Sequence, residues 1–444
     1  MAPHIYVGMS AKAGPAVNPA SARVCAYAVL RRVFEQGAYA DRALHAQARD
    51  LDARDRALAM RLAYGAVQRS GTLDYLIERL AQRPVARLDP PVLAALRLGL
   101  YELLYLRGAP DRAVVADTVE LAKTSGRRGG HGLVNAVLRR AIREGTSALL
   151  DGLDERTPQH AAIMHSHPEW LARLWWQELG AEEARALMAA NNEPGEVALR
   201  ANTLVSDAIS LARELPVSTH GDQKLAEALV LDGPFDAHAS PLWASGAFIA
   251  QSRAAMLVAR VLDPQPGERV LDLCAAPGGK STHLAALMQG QGEVVAIERN
   301  PRRAAELQRT ARRLRAANVR VELADAAIPR SQEASFDRVL VDPPCSGLGT
   351  LQARADLRWR VTPEGIVEMA GVQAAILAAG ARAVRPGGVL VYSTCTISQA
   401  ENQRQIAAFL DSHPDFVLAS EGPVMTFPHR DHTAGFFIAR LHRS

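Results

Sequence analysis

The hydrophobic positions divide the chain into two textures. Between about residues 22 and 145 apolar residues recur every three or four positions: Ala22, Cys25, Val29 and Val33 form one series, and Leu93, Leu96, Leu100 and Leu103 another. That spacing returns side chains to one face of an α-helix. No period-two alternation interrupts it, so an all-helical bundle is expected. Asp89, followed by Pro90 and Pro91, marks a helix start: an acceptor at the N-cap precedes prolines whose missing N–H groups cost little in the first turn. Residues 157–250 mix a helical stretch around Trp170, Trp175 and Trp176 with the less regular ALRANTL, 198–204. The tryptophans alternate with leucines at helical spacing and are expected in the core. After Pro264 short β-branched runs (RVLDL, EVVAIE, VRVELAD, DRVLVD, GGVLVYST) alternate with helical segments, which implies a parallel, doubly wound sheet. The expected division is a disordered tail over 1–20, a helical domain over 21–150, a small α+β connecting domain over 151–250 and an α/β, Rossmann-like domain over 251–444.

Composition narrows the class. A chain of 444 residues with 48% apolar and 22% charged residues fits a folded, soluble, multidomain protein. The formal charge is +4, and the positive charge is almost all arginine, since lysine occurs only at Lys12, Lys123, Lys224 and Lys280. Arginine suits phosphate contacts, although GC-rich coding would give the same bias, so a nucleic-acid partner is permitted and not established by composition. The segment 127–143 joins a glycine-rich turn to a helix with Arg139, Arg140 and Arg143 on the polar side of Val134, Val137, Leu138 and Ile142. A solvated surface produces such a basic face as readily as an RNA-binding one. Four cysteines, Cys25, Cys274, Cys345 and Cys395, contain no C-x-x-C pair, so neither a zinc site nor a disulfide framework is indicated. Free thiols fit a reducing cytosol. The first twenty residues lack a signal-peptide pattern, Met9 offers an alternative start, and no apolar run approaches the ~20 residues of a membrane span. A cytoplasmic protein without metal or membrane is expected; the oligomeric state is open, with a monomer as the working expectation.

In a doubly wound sheet the ligand crevice lies beyond the carboxyl ends of the strands. RVLDL runs into CAAPGGK, 274–280, where Gly278 and Gly279 permit close backbone approach to a ligand at a helix start. The loop is neither G-x-G-x-x-G nor a Walker A sequence. The next three strands end at Glu298, Asp325 and Asp342, and an acid about 20 residues past a glycine loop is the usual partner of ribose hydroxyls. DPPCSG and STCTISQAEN then deliver Cys345 and Cys395 to the same edge. Either cysteine alone would be read as a buried structural thiol. If their strands pair at ~4.8 Å, both thiols face one substrate. Ser398 and Glu401 have the spacing of a capping box, which places a helix N-terminus just after Cys395, where it would favour the thiolate.

CAAPGGK, DPPCSG and YSTC together resemble the RNA cytosine-5 methyltransferase family with two motif cysteines, in order and spacing from about residue 199 onward. The N-terminal LRLGLYELLYL, VELAK and GLVNAVLRR are similar to the NusB-type RNA-binding domain fused to one bacterial branch of that family, the Sun/Fmu type acting on small-subunit ribosomal RNA. The resemblance implies a NusB-like bundle and a class I methyltransferase domain that uses S-adenosylmethionine. It implies that Cys274, Ala275, Ala276, Pro277, Gly278, Gly279 and Lys280, with Glu298, Asp325 and Asp342, bind the cofactor. Cys395 would attack carbon-6 of cytosine, Asp342 would lie near the base, and Cys345 would assist elimination. Ala355, where proline is frequent, and Thr433-Ala434, where an acid is common, depart from the pattern. A transfer-RNA methyltransferase and a catalytically silent RNA-binding or antitermination factor are the alternatives. A nicotinamide dehydrogenase is disfavoured by the absent G-x-G-x-x-G.

Overall fold

The computed structural model describes residues 21–106, 108–124, 129–328 and 334–444. The expected disordered tail, 1–20, and the Arg127-Arg128 opening of the glycine-rich turn lie outside the described residues. Two compact units are present, one ending at Glu169 and the other running from Trp170 to Ser444.

The first unit is helical throughout its described part. Ala22, Cys25, Val29 and Val33 all turn inward from helix Ser21–Gln36. Helix Pro90–Tyr105 is buried around most of its circumference, including Val92, Leu96, Leu98 and Leu100. Its two polar intrusions are paired: Arg97 donates to both oxygens of Asp74 at 2.7 Å, and Glu102 binds Arg23, which also reaches Asp117 at 3.0 Å. Asp89 takes the N-cap position, but its side chain does not form the expected capping bond. On helix Gly130–Glu144 the inward residues are Val134, Val137, Leu138 and Ala141, whereas Ile142 is exposed. Arg140 is engaged internally, donating to the Leu80 carbonyl at 3.0 Å and to Glu144, so the basic face reduces to Arg139 and Arg143.

The second unit begins with helices in which Trp175 is fully buried and Trp170 and Trp176 are half-buried. Strands β1 (Ala198–Ala201), β2 (Thr219–Gly221), β3 (Ala228–Leu231) and β4 (Phe248–Ala250) form a small antiparallel sheet in the order β2-β3-β1-β4. The main sheet follows: β5 (Arg269–Leu273), β6 (Glu293–Glu298), β7 (Val319–Leu323), β8 (Phe336–Val341), β9 (Val384–Thr394), β10 (Phe416–Leu418), β11 (Val424–Thr426) and β12 (Phe436–Arg443). Its order is β10-β12-β9-β8-β5-β6-β7, with β11 on β12. The five strands read from the sequence are parallel, as expected. The sheet as a whole is mixed, because β12 runs antiparallel to β9 and carries β10 and β11 at the edge. That strand gives no alternating signal: Phe436, Phe437, Ile438 and Ala439 are all buried, since the sheet is covered on both faces.

Leu271, Val339, Leu390 and Phe437 point into one layer, and Val270, Leu340, Val391 and Ile438 into the other. Helix Pro363–Ala383 packs on β8 and β9. A Cβ at Gly380 would stand 2.7 Å from Val341, so glycine sets how closely this helix approaches the sheet. With 21 residues it is long and apolar enough to cross a bilayer by composition, a segment that the search for apolar runs passed over. Ile366, Ile376 and Leu377 are nonetheless buried within the unit, as in a core helix.

Candidate active site

The chain proceeds outward from β5 to β6 and β7, then returns to place β8 on the other side of β5. The switch point therefore opens between the carboxyl ends of β5 and β8, where a crevice must form. Both ends carry motif residues. Past β5 comes the 274–280 loop, in which Cys274 (φ +67°) and Gly278 (φ +104°) adopt left-handed backbone and Ala276–Pro277 is cis. A Cβ at Gly278 would lie 2.5 Å from Leu307, so this turn requires glycine. The loop is tied to its neighbours: Ala275 N–H donates to Ile297 O on β6 at 2.8 Å, and Arg303 donates to Ala276 O at 2.7 Å.

Past β8 comes Asp342. Lys280, from the first turn of helix Gly279–Leu287, donates Nζ–H to Asp342 Oδ2 at 2.7 Å, and Ser393 on β9 donates to Oδ1 at 2.9 Å. The ammonium also lies 5.3 Å from the centre of the Phe436 ring. β8 and β9 pair in parallel with Val341 beside Tyr392, so the residues beyond them emerge together. Cys345 Sγ and Cys395 Sγ stand 3.3 Å apart. The hydrogen bond from Cys345 holds Cys395 below the ordinary thiol range, with help from the positive charges of Lys280 and Arg354 and against burial and Asp342. The same bond, with burial, pushes Cys345 up. The two thiols are thus shifted in opposite directions, Cys395 down and Cys345 up. Burial pushes Cys274 up to about 12, the opposite direction from Cys395.

The expected capping box does not form. The helix after Cys395 begins at Gln403, with Asn402 as N-cap and no side-chain cap. Glu401 is instead fully buried and accepts from Ser346 N at 2.8 Å, from Ser346 Oγ and from Gln373 Nε2 at 3.0 Å. Leaving those buried donors unmet would cost more than an exposed cap returns. The carboxylate locks DPPCSG to STC, and the downward shift of Cys395 has its partner thiol, rather than a helix terminus, as its largest cause.

Glu298, nearly fully buried at the end of β6, accepts from Asn300 N at 2.8 Å and lies 3.3 Å from Arg303. Asp325 stands two residues past β7, exposed, accepting from Ala327 N at 3.0 Å. The edge thus brings the loop, Glu298, Asp342 and both cysteines into one crevice, with Asp325 at its outer strand. Two further residues escaped the sequence reading. Asp272 on β5 accepts from Ser281 at 2.6 Å while its Oδ1 is buried without a hydrogen-bond partner, and burial pushes the carboxyl up to about 7. Arg200 of ALRANTL is fully buried and donates to Gly279 O, to Gln251 Oε1 at 2.7 Å and to Thr282 Oγ1 at 3.0 Å. Burial lowers it to about 9, so it remains a cation and braces the glycine turn from beneath. A lone arginine in a short strand of small apolar residues was the available signal. Among the described residues no cluster of three His, Cys, Asp or Glu side chains could hold a metal.

A glycine turn, strand-end acids and an orphaned acidic oxygen suit a ligand with hydroxyls and positive charge, and the thiol pair beside them suits covalent chemistry on an electrophilic ring. The class so defined is an α/β ligand-binding enzyme domain with two adjacent thiols at the strand ends. The comparisons name its family. The description "16S rRNA methyltransferase RsmB/F" matches residues 259–442, "NusB family" matches 20–143, and an RsmF/B-like ferredoxin-like domain matches 167–238. The chain is 37% identical to the probable ribosomal RNA small subunit methyltransferase B of Synechocystis sp., over 96% of this chain and 100% of the relative. It is 32% identical to the ribosomal RNA small subunit methyltransferase B of Klebsiella pneumoniae, over 96% and 98%. A solved structure, described as PH0851, superposes with a TM-score of 0.81 at 26% identity, covering 96% of this chain and 100% of that one. The protein belongs to the RsmB/F methyltransferase family.

Proposed function

We propose that the protein transfers a methyl group from S-adenosylmethionine to carbon-5 of a cytosine in small-subunit ribosomal RNA, through a covalent bond between Cys395 and carbon-6. The observation that carries this reading is the 3.3 Å thiol pair at the joined ends of β8 and β9, beside the Lys280–Asp342 ion pair. The names of the relatives support the substrate class. A cytoplasmic place of action belongs to the same reading, as does a role for the helical first unit in holding RNA.

The 274–280 loop would hold the cofactor, with Glu298 at the ribose, Asp325 near the adenine and Asp342 at the same site. When bound it supplies an electrophilic methyl group, which cytosine carbon-5 accepts only once it has become nucleophilic. Addition of the Cys395 thiolate to carbon-6 turns the ring into an enamine and creates that nucleophile. Asp342, held by Lys280 and Ser393, can accept from the exocyclic amine of the base. The target base must leave its stack to reach the thiols.

The test is methyl transfer by the pure protein to unmodified 16S ribosomal RNA with labelled S-adenosylmethionine, read as 5-methylcytosine in a nuclease digest. Label in that nucleoside is expected. Methylation of transfer RNA alone overturns the substrate, and absence of S-adenosylmethionine binding overturns the enzyme reading.

Arg200→Met provides a separate check on the cofactor site. It removes charge-assisted bonds worth roughly 1.5–3 kcal/mol each from Gly279 O and its neighbours. S-adenosylmethionine affinity measured by calorimetry is expected to fall at least ten-fold, about 1.4 kcal/mol, with far-UV circular dichroism unchanged. Wild-type affinity in a folded variant would show that the brace is dispensable.

A further inference from the structure

Between residues 299 and 320 eight arginines face the single acid Glu306, a local net charge of +7 in a chain whose formal total is +4. The remainder of the protein is therefore net negative, and this segment concentrates positive charge on and around one helix. Three of the eight arginines are engaged internally. Arg303 holds Ala276 O and Glu298, Arg313 donates to Trp243 O at 2.8 Å and Phe248 O at 3.0 Å while lying over the Trp243 ring, and Arg320 pairs with Glu293 and Glu322. The other five, Arg299, Arg302, Arg309, Arg312 and Arg315, are exposed, and their side chains form no hydrogen bond or ion pair among the described residues.

The two groups occupy different positions on the fold. Helix Pro301–Arg313 buries Ala304, Leu307 and Ala311 against β6 and β7, so Arg302 and Arg309, seven residues apart, share its outer face about 10 Å from one another. Arg312 flanks them one turn further on, Arg299 precedes the helix and Arg315 follows it. Like charges spaced as Arg309 and Arg312 are disfavour an isolated helix. Glu306, four residues after Arg302 and three before Arg309, is the one acid within the row, and a polyanion lying along it would compensate the rest. Its starting end adjoins the active site: Arg303 fastens the first turn to the cofactor loop, and β6 lies three strands from β9, about 14 Å across the sheet edge from Cys395.

We infer that the outer face of helix Pro301–Arg313, extended by Arg299 and Arg315, is a phosphate-binding surface for the RNA strand whose target base occupies the thiol site. The inference rests on the RNA reading above and names where that RNA runs. Guanidinium groups presented singly along a helix contact backbone phosphates and read no sequence. The surface supplies affinity and register, and the crevice supplies the choice of base.

The test is a triple variant of the full chain, Arg302→Gln with Arg309→Gln and Arg312→Gln, none of which touches the crevice. Its KM for a 16S ribosomal RNA fragment is expected to rise about ten-fold or more near physiological salt, and the slope of log affinity against log salt to become shallower by roughly two to three, since each phosphate contact contributes ~0.7–0.9. Its kcat at saturating RNA and its affinity for S-adenosylmethionine should stay within about two-fold of wild type. Lysine at the same three positions should restore most of the salt slope, because the charge returns. Unchanged KM and slope in the glutamine variant, beside a wild type that methylates the RNA, overturn this surface alone. A wild type that neither binds nor methylates RNA overturns the RNA reading and this surface with it.

Discussion

Cys395→Ala is expected to abolish methyl transfer, lowering kcat by on the order of 10³-fold or more, and to eliminate any denaturant-resistant protein–RNA adduct. The thiolate does not merely bind the base. Without addition at carbon-6, carbon-5 of cytosine lacks the electron density to accept a methyl group, and no neighbouring side chain in the crevice can replace it. Cys345 is the nearest thiol, but the hydrogen bond with Cys395, burial and the nearby Glu401 charge all raise it. Lys280 and Asp342 are occupied with one another. Alanine leaves the strand pairing and the Glu401 lock untouched, so binding of S-adenosylmethionine and RNA should change by no more than a few-fold. The readouts are label transferred to RNA and the protein–RNA band that survives denaturing electrophoresis. Retention of the adduct in Cys395→Ala, with its loss in Cys345→Ala, would exchange the two roles.

The elements that could be read from the sequence were those whose physics is local. Helical spacing gave the first unit, and β-branched runs alternating with helical segments gave the five parallel strands, because β-branching persists where a strand is buried on both faces. Motif order also placed Lys280, Asp342, Cys345 and Cys395 at one edge, since a doubly wound sheet collects its strand ends. What remained hidden depended on partners far away in the chain. Glu401 has the spacing of a cap but serves Ser346, 55 positions earlier, and only the fold reveals which donor is harder to satisfy. Arg200 binds Gly279, 79 positions later, from a segment without evident periodicity. The antiparallel edge was missed because β12 is apolar on both faces and no crossover helix precedes it. Thr433, a departure from the pattern that the resemblance implies, has a local role: its hydroxyl is buried, donates to Glu196 and accepts from Ala254 N, so it joins the loop before β12 to helix Arg253–Leu262.

Cys345→Ala is expected to give the opposite trapping pattern: the adduct forms and accumulates while turnover falls, by roughly 10²-fold or more if general-base assistance is the whole of its contribution. In the free protein the hydrogen bond with Cys395, together with burial, holds Cys345 above the ordinary thiol range. Once Cys395 has become a thioether, that partner and its negative charge are gone, and of the causes that raised Cys345 the largest disappears. The second thiol can then ionise, remove the proton from carbon-5 and allow the carbon–sulfur bond to break, which frees the RNA. With alanine there is no base at that position, so the methylated adduct persists. The same substitution tests the electrostatics without RNA. Cys395 sits below the ordinary thiol value in the wild type, so iodoacetamide should modify it first, with a pH midpoint below that value; Cys25 and Cys274 are both raised by burial and should react later. Removing the Cys345 donor leaves burial and Asp342 opposed only by Lys280 and Arg354, so the midpoint in Cys345→Ala should move up. Peptide mapping of alkylation against pH measures that shift. An unmoved midpoint would mean that Lys280 and Arg354 alone set the thiolate, and an absence of trapped adduct in Cys345→Ala would remove the second thiol from the release step.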